Sequence, residues 1–308
     1  MCLLASGPAA AAQARWHLTL DNDFFNFWQK PNERPDFGYT AGTDLSVHSD
    51  HIPRLLAPFA GGGRSGAGSA SGPCFEFGLR QEIYAPWRLG GDRPYAGWLE
   101  VRLGLWSESA NALRRWVAHA GVTGPPSLAQ EAQDLIHKSF GFNYPGWSHQ
   151  LPFEPGATLE YEGAQRVLGV GAERGLAWEV APAWRARLGT IATDLRVGAQ
   201  TALGWAPPPP WDRSDRIPRS AGIYALGAVR LDAIARDEFL DGTLFRPSAR
   251  THKRPVVAAA ESGIGFRWRG GELEWRVTRR QKEFRTQPWP HTYSAIVLNW
   301  VPASEAGR

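Results

Sequence analysis

Short segments in which apolar and polar residues alternate recur along almost the whole chain, and this pattern constrains the fold more than any other feature. In the clearest case, residues 95–107, Leu99, Val101 and Leu103 alternate with Glu100 and Arg102. Successive side chains of a β-strand point to opposite faces, so such a segment has one apolar and one polar face. No apolar run approaches the roughly 18 residues of a membrane-spanning helix. The pattern therefore predicts an all-β protein.

The alternating segments number about twelve. They lie at residues 15–23, 38–48, 74–85, 95–107, 111–122, 157–168, 175–187, 193–205, 220–235, 255–268, 272–284 and 293–301. An even count is typical of single-chain outer-membrane barrels, and roughly ten residues cross the hydrocarbon layer at a tilt. We therefore predict a twelve-stranded antiparallel transmembrane β-barrel. Composition alone leaves a soluble β-sandwich open.

The N-terminus predicts export from the cytoplasm. Residues 1–14 are apolar, rich in small residues, and end in Ala12-Gln13-Ala14, an A-x-A pattern typical of a signal peptide cleaved before Arg15. We assign residues 15–301 to the barrel and its rim site, and residues 302–308 to a C-terminal tail. Cys74 would be the one cysteine of the mature chain, and no histidine lies beside it, which disfavours a catalytic thiol.

Three segments outside the predicted strands have a composition that indicates another kind of structure. Residues 49–72 contain the flexible sequence GGGRSGAGSASG, and residues 207–210 form a stiff polyproline stretch in a connection. Residues 126–138 begin with proline and continue with helix formers, which predicts a short helix in an extracellular loop. Its Gln130, Gln133 and His137 are spaced to share one face. On spacing alone, His137 is either a site residue or an ordinary hydrogen-bonding histidine.

Strand parity brings several polar residues to one end of the barrel. If the first strand runs outward from the periplasm, odd strands end outside and even strands begin there. Asn22 and Asp23 end the first strand, Thr40 begins the second, and the segment carrying His137 follows the fifth. These residues would form a candidate site at the outer rim. The pattern alone favours ordinary turn chemistry for the Asp21-Asn22-Asp23 run, although its oxygens suit a cation of the calcium type.

Eight short motifs in a fixed order carry a family resemblance. They are LDNDFFN (20–26), GYTAG (38–42), RQEIYAP (80–86), DRPYAGWL (92–99), GVTGP (121–125), QEAQDLIH (130–137), YPGWSHQL (144–151) and EFRT (283–286). With these motifs the chain resembles the outer-membrane lipid A 3'-O-deacylases over residues 16–300. The resemblance implies a barrel in the outer membrane of a Gram-negative bacterium, with its active site facing the outer leaflet. It also implies calcium-dependent removal of the 3'-linked acyloxyacyl group from lipid A.

Most site residues of that family have a match in this chain. The matching positions are Asn22, Asp23, Tyr39, Thr40, Gln130, Gln133 and His137. The resemblance implies that His137 is the active-site histidine. We expect His137 to act as general base, Asp23 to help bind Ca²⁺, and Asn22 to donate to the oxyanion or to orient the ester. We expect Thr40 to fix Asp23 or the attacking water, and Gln133 to orient the imidazole. Tyr39 is expected to bind substrate.

The chain also departs from the family pattern. The family carries a glutamate shortly after the histidine, whereas residues 140–143 here contain no carboxylate. In place of a lysine after the third strand, the chain offers Arg88 and Arg93, which we expect to bind substrate phosphate. The missing carboxylate leaves open a non-enzymatic barrel, such as a porin or scaffold, and a phospholipase using the same site is a further alternative. We expect lipid A and outer-membrane lipid as partners, and no nucleic acid. The oligomeric state and the acyl chain removed stay open.

Overall fold

The protein folds as a closed antiparallel β-barrel. The computed structural model describes residues 14–28, 37–59, 73–87, 93–141, 146–172, 175–211 and 220–302. The twelve barrel strands pair in chain order, and the first strand pairs with the last, with Trp16 opposite Trp300 and Asn22 opposite Ser294. In the described residues, no helix combines the length and the apolar character needed to span a bilayer. The prediction of a twelve-stranded antiparallel barrel with a short helix is confirmed.

The strands follow the predicted segments closely. They are β1 (Arg15–Asn22), β2 (Gly38–Ser49), β3 (Cys74–Ala85), β4 (Ala96–Glu108), β5 (Ala112–Thr123), β6 (Pro155–Gln165), β7 (Leu168–Gly171), β8 (Leu176–Gly189), β9 (Ala192–Trp205), β10 (Gly222–Asp237), β11 (Val256–Trp268), β12 (Gly271–Arg280) and β13 (His291–Trp300). Between the strands, the part of the chain that the structure describes contains two α-helices, α1 (Ala129–Phe140) and α2 (Glu238–Asp241). We call the end where β1 ends and β2 begins the α1 end, and the other the opposite end.

The sixth barrel strand is interrupted, so thirteen named strands make a twelve-stranded barrel. Both β6 and β7 pair with β8, and the chain between them leaves the regular ladder at Arg166 and Val167. Pro182 of β8 lies opposite this break, and proline has no N–H to donate across the sheet. The interruption therefore lies where the neighbouring strand lacks a donor.

Charged side chains on the inward face of the strands fill the lumen. Arg102 of β4 is buried and forms ion pairs with Asp44 of β2 and, at 3.4 Å, with Glu76 of β3. Arg115 of β5 contacts both Glu76 and Glu162 at 2.6 Å. A buried charge is stable only when it is paired and hydrogen-bonded, and here each guanidinium bridges two carboxylates from different strands. The network joins five consecutive strands across the interior.

The outward face of the strands is apolar. Large apolar side chains at alternate positions are exposed there, among them Leu79, Val101, Leu103, Trp116, Leu195, Leu231, Ile264 and Leu273. They alternate along each strand with the inward charged residues. Such an apolar outer band around a polar interior is the arrangement of a barrel immersed in lipid.

Both ends of the lumen are covered by chain segments. At the opposite end, the polyproline segment lies buried inside the barrel mouth, lining a cavity beside His17 and Glu272. Trp211, which follows it, donates its indole N–H to Glu108 at 3.3 Å. At the α1 end, Phe239 of α2 stacks on Tyr84 of β3 with ring centroids 4.3 Å apart. The polyproline connection is therefore a plug, which its composition alone did not predict.

Replacing Arg102 with methionine tests the lumen network. Asp44 and Glu76 would then be buried with one cation fewer, so we expect a loss of about 3–5 kcal/mol in the free energy of unfolding. Urea unfolding in detergent micelles, followed by tryptophan fluorescence, measures this difference.

Arg114→Met is the matched control, because Arg114 lies on the exposed outward face of β5 next to the network residue Arg115. Its effect should stay within about 0.5 kcal/mol. Equal stability of the Arg102→Met and Arg114→Met variants would show that the network does not stabilise the barrel.

Candidate active site

Helix α1 lies against the outer wall of the barrel. Its first residue, Ala129, is buried in a cluster with Ile83 and Ala85 of β3, which point outward, and with Trp147 of the following loop. A Cβ atom added at Gly97 of β4 would lie 2.2 Å from the Cβ of Ala129. The glycine therefore allows the helix to approach the strand closely. The sequence predicted this helix in an extracellular loop without saying what it packs against; the structure packs its first turn on the outer face of the wall.

Local sequence explains where α1 begins and ends. The prediction placed the helix at residues 126–138, whereas a 3-10 turn (Pro125–Ser127) precedes it and α1 begins at Ala129. Gln81 of β3 donates to the Ser127 carbonyl at 2.7 Å, which fixes this turn to the wall. Gly141 ends the helix at φ +72° and donates its N–H to the His137 carbonyl, a conformation that glycine adopts without steric cost.

One face of α1 turns toward the wall and carries the predicted site residues. Ala129, Ala132, Gln133 and His137 share this face at helical spacing. Gln133 is buried, and its amide oxygen accepts the indole N–H of Trp147 at 2.9 Å. Gln133 therefore anchors the helix to the loop that follows it. His137, one turn later, is half-buried at the end of this face.

A β-bulge presents Thr40 at the rim beside α1. Tyr39 pairs with Tyr84 and Ala41 pairs with Ile83, so Thr40 is the extra residue of β2. Thr40 is buried, and its hydroxyl donates to the Ile83 carbonyl at 3.2 Å. Because Ile83 and Ala41 both contact the cluster under α1, Thr40 lies where the helix meets the wall.

Asn22 and Asp23 lie on the neighbouring strand. Asn22 is opposite Ala41, and its side-chain oxygen accepts the N–H of Phe24 at 2.7 Å, which caps a 3-10 helix (Asp23–Phe25). Its amide nitrogen has no hydrogen-bond partner among the described residues. Asp23 is the first residue of this turn and is buried. The capping confirms local turn chemistry, and it leaves the Asn22 donors for a further partner.

The chain after Asp23 folds back over the outer wall. Asn26, fully buried, donates to the Thr292 carbonyl at 3.1 Å and accepts the Ser294 hydroxyl at 2.7 Å. Trp275 of β12, which points outward, donates to the Phe25 carbonyl at 3.2 Å. Asn26 lies within the motif LDNDFFN, yet its anchoring role was not predicted. The rim of β1 and β2 is thus flanked on the outside by α1 and by residues 23–28.

The structure places five of the expected site residues on the outer side of the barrel and two others elsewhere. Asn22, Thr40, Gln133 and His137 belong to the outer wall at the α1 end, and Asp23 begins the turn that folds back over this wall. Tyr39 points into the lumen, where its hydroxyl donates to Asp21 at 2.5 Å. Arg93 is buried with its guanidinium carbon 4.5 Å from the centroid of the Tyr84 ring. Arg88 lies outside the described residues.

Arg93 belongs to an ion pair that closes the α1 end. Its Nη1 atom lies 3.8 Å from Glu283, which also contacts Arg280 at 3.3 Å. Burial alone would raise the pKa of Glu283, but Arg280 and Arg93 outweigh burial and hold this pKa below its ordinary value. The charge of Arg93 is therefore neutralised within the protein, whereas a phosphate-binding arginine would be open to its ligand.

The donors near Asp23 fit a hard cation better than a soft one. Among the described residues, no group of three or more histidine, cysteine or carboxylate side chains could hold a metal ion. The oxygen donors of Asp23 and Thr40 and nearby backbone carbonyls are the type that calcium prefers. Calcium binding here would depend on one buried carboxylate and on neutral oxygens.

Comparison with known proteins adds a family and a fold. A family model described as outer membrane protein LpxR matches residues 1–301. The solved structure of LpxR from Salmonella typhimurium aligns with a TM-score of 0.73 at 18% identity, covering 93% of this chain and 99% of that chain. At that identity the likeness shows the fold alone.

Two further solved structures align weakly, and both have 11% identity. A bacterial polysaccharide outer membrane secretin has a TM-score of 0.34, with 95% of this chain and 99% of that chain covered. The translocator domain of the autotransporter NalP from Neisseria meningitidis has a TM-score of 0.36, with coverage of 94% and 86%. No curated protein matches the chain.

Replacing Gly97 with valine tests the docking of α1 on the wall. The new side chain would overlap Ala129, and such overpacking costs about 1–3 kcal/mol, which raises the detached population of the helix by roughly 5- to 150-fold. Trypsin cleavage after Lys138 should speed up accordingly. Gly146→Val is the control, since a Cβ there meets nothing within 4 Å. Unchanged cleavage in the Gly97→Val variant would contradict the docking.

Proposed function

Because the chain belongs to the LpxR family of outer-membrane proteins, we propose that it is a lipid A deacylase. It would hydrolyse the ester of the 3'-linked acyloxyacyl group, with calcium bound, in the outer leaflet. The observation that carries the proposal is the position of Asn22, Thr40 and His137 on the lipid side of the barrel wall. A lipid in the surrounding leaflet reaches that side, whereas the lumen is filled with ion pairs.

His137 is proposed as the general base. A histidine titrates near neutral pH, so its imidazole accepts a proton from water under the conditions of the cell surface. The water oxygen then attacks the acyl carbonyl carbon, and the ester C–O bond breaks as the alcohol leaves with a proton. No serine nucleophile is needed in this scheme. Gln133 supports it by fixing the preceding helical turn through Trp147.

Asn22 is proposed to act on the carbonyl oxygen of the ester, and Thr40 on the oxygen of the attacking water. The oxygen of Asn22 is already committed to the Phe24 N–H, which leaves its NH₂ group to donate to the developing oxyanion. The hydrogen of Thr40 is committed to the Ile83 carbonyl, which leaves its lone pairs to accept from the attacking water. Each role follows from the hydrogen bond that the side chain already makes.

Asp23 is proposed to hold the calcium ion with neighbouring carbonyl oxygens. When bound, the ion would supply the positive charge that polarises an acyl carbonyl. Asp23 is buried at the head of a capped turn, so its carboxylate is held in place before any ion arrives. This preorganisation lowers the cost of forming the site.

The expected substrate contacts are reassigned in part. Arg88 is kept as a proposed phosphate ligand, because it comes three residues after the end of β3 in the sequence. Arg93 and Tyr39 are instead proposed to shape the rim from the lumen side, through Glu283 and Asp21 respectively. The glutamate missing after His137 has no replacement among the carboxylates described above.

The two alternative functions differ from this proposal in what they require. A porin needs a water-filled passage, and the buried pairs of Arg102 and Arg115 together with the Trp211 plug disfavour one. A phospholipase would use the same wall site on a glycerophospholipid. Offering purified protein lipid A and glycerophospholipid in the same detergent separates these two hydrolases by their products.

Replacing His137 with alanine tests the proposed base. We expect deacylation to fall by roughly 10²–10⁴-fold, the usual contribution of a positioned base. Mass spectrometry of lipid A from a Gram-negative host that expresses each variant measures the loss of the acyl group. His149→Ala, an exposed histidine of the same loop, should keep full activity. Acyl loss at the wild-type rate in the His137→Ala variant would refute the assignment.

Removal of calcium tests the role of Asp23. Chelation should abolish acyl release, added calcium should restore it, and Asp23→Asn should lower activity by roughly 10²-fold or more at fixed calcium. Asp50→Asn is the control, because Asp50 is an exposed carboxylate at the opposite end. Full activity in excess chelator would overturn the metal assignment and leave the hydrolase proposal standing.

A further inference from the structure

A hydrogen bond inside the lumen lies directly behind the proposed site. Asp21 precedes Asn22 on β1, and Tyr39 precedes Thr40 on β2. Both point inward, and the Tyr39 hydroxyl donates to Asp21 Oδ2 at 2.5 Å. Each partner is therefore one peptide bond away from a site residue on the other face of the wall.

The bulge makes this bond possible. Ala41 points outward, so regular alternation would turn Tyr39 outward as well and Thr40 inward. The extra residue at Thr40 reverses this order, and the Tyr39 ring packs in the lumen with Tyr84 and Tyr293, at centroid distances of 5.5 and 5.0 Å. The same extra residue therefore turns Tyr39 inward and brings Thr40 to the rim.

The strand beside Tyr39 is shaped to receive it. A Cβ atom added at Gly42 would lie 1.9 Å from the Tyr39 hydroxyl oxygen, so only glycine leaves room for the ring there. Arg80 approaches the same oxygen at 3.5 Å and pairs with Glu82 at 2.6 Å. The hydroxyl therefore lies in a built polar pocket.

We propose that the Tyr39–Asp21 hydrogen bond is a latch that positions Thr40 and Asn22 from behind the barrel wall. Tyr39 and Asp21 are positioning residues, because neither faces the outer leaflet. The latch ties β1 to β2 just beyond their last paired residues, Asn22 and Ala41, and beside the bulge that interrupts the ladder between β2 and β3. Displacing a reacting group by about 1 Å costs on the order of 10²-fold in rate. This inference rests on the proposed hydrolase function.

Kinetics of a small set of variants test the latch. Tyr39→Phe keeps the ring and removes the hydroxyl, and Asp21→Leu removes the acceptor. Each should lower kcat by roughly 10–10²-fold with little change in KM, since alignment is lost and substrate binding is kept. The double variant should lose no more than either single one, because both break the same bond. Asp21→Asn, which keeps an acceptor oxygen, should restore part of the rate.

Tyr224→Phe is the matched control. Tyr224 donates to Glu274 at 2.6 Å, another tyrosine–carboxylate bond in the lumen, on strands away from the bulge. Its loss should leave kcat unchanged. Equal losses in the Tyr224→Phe and Tyr39→Phe variants would show a general effect of lumen packing and overturn the latch.

Amide hydrogen exchange gives a second readout that does not depend on activity. Exchange at residues 20–23 and 38–42 should speed up in Tyr39→Phe and in Asp21→Leu, and stay at the wild-type rate in Tyr224→Phe. Unchanged exchange at the rim overturns the latch, even if kcat falls. If the wild-type protein releases no acyl group, the proposed function fails, and the exchange rates alone decide whether the bond holds the bulge.

Discussion

Every backbone N–H and C=O group within the hydrocarbon layer must find its partner inside the protein, because lipid offers none. In this chain that requirement is met when β1 pairs with β13 and closes the sheet. Closure fixes the direction of every strand and divides every strand into an inward and an outward face. The ion pairs of the lumen, the apolar outer band and the position of the rim residues all depend on that division.

Much of the fold was predictable because alternation with a period of two is a strong local signal. Most strand boundaries fall within a few residues of their predicted positions, and parity brought Asn22, Thr40 and His137 to the same end. The break opposite Pro182 and the burial of Trp211 were not predicted, because each depends on what a distant strand provides at that point. Composition identified the polyproline segment but not its place in the lumen.

The end of the barrel at which the candidate site residues lie was predictable, and their orientation was less so. The sequence indicated α1 but not its packing partner, since nothing local distinguishes a free loop helix from one packed on the outer wall; the close approach of Ala129 to Gly97 decides it. Tyr39 was expected to meet substrate, but the single extra residue at Thr40 turns it inward. The cationic side chain of Arg93 gave no sign that Glu283 already neutralises it.

The bulged rim has a consequence for how such a protein can change over generations. The proposed chemistry uses one face of the strands and packing uses the other, so substitutions at odd and even positions would be selected on nearly separate grounds. A lineage can lose hydrolysis and keep its barrel, or exchange its internal charges and keep its chemistry. This independence would end at Asp21 and Tyr39, because a substitution on the inward face there would displace the proposed site residues on the outward face.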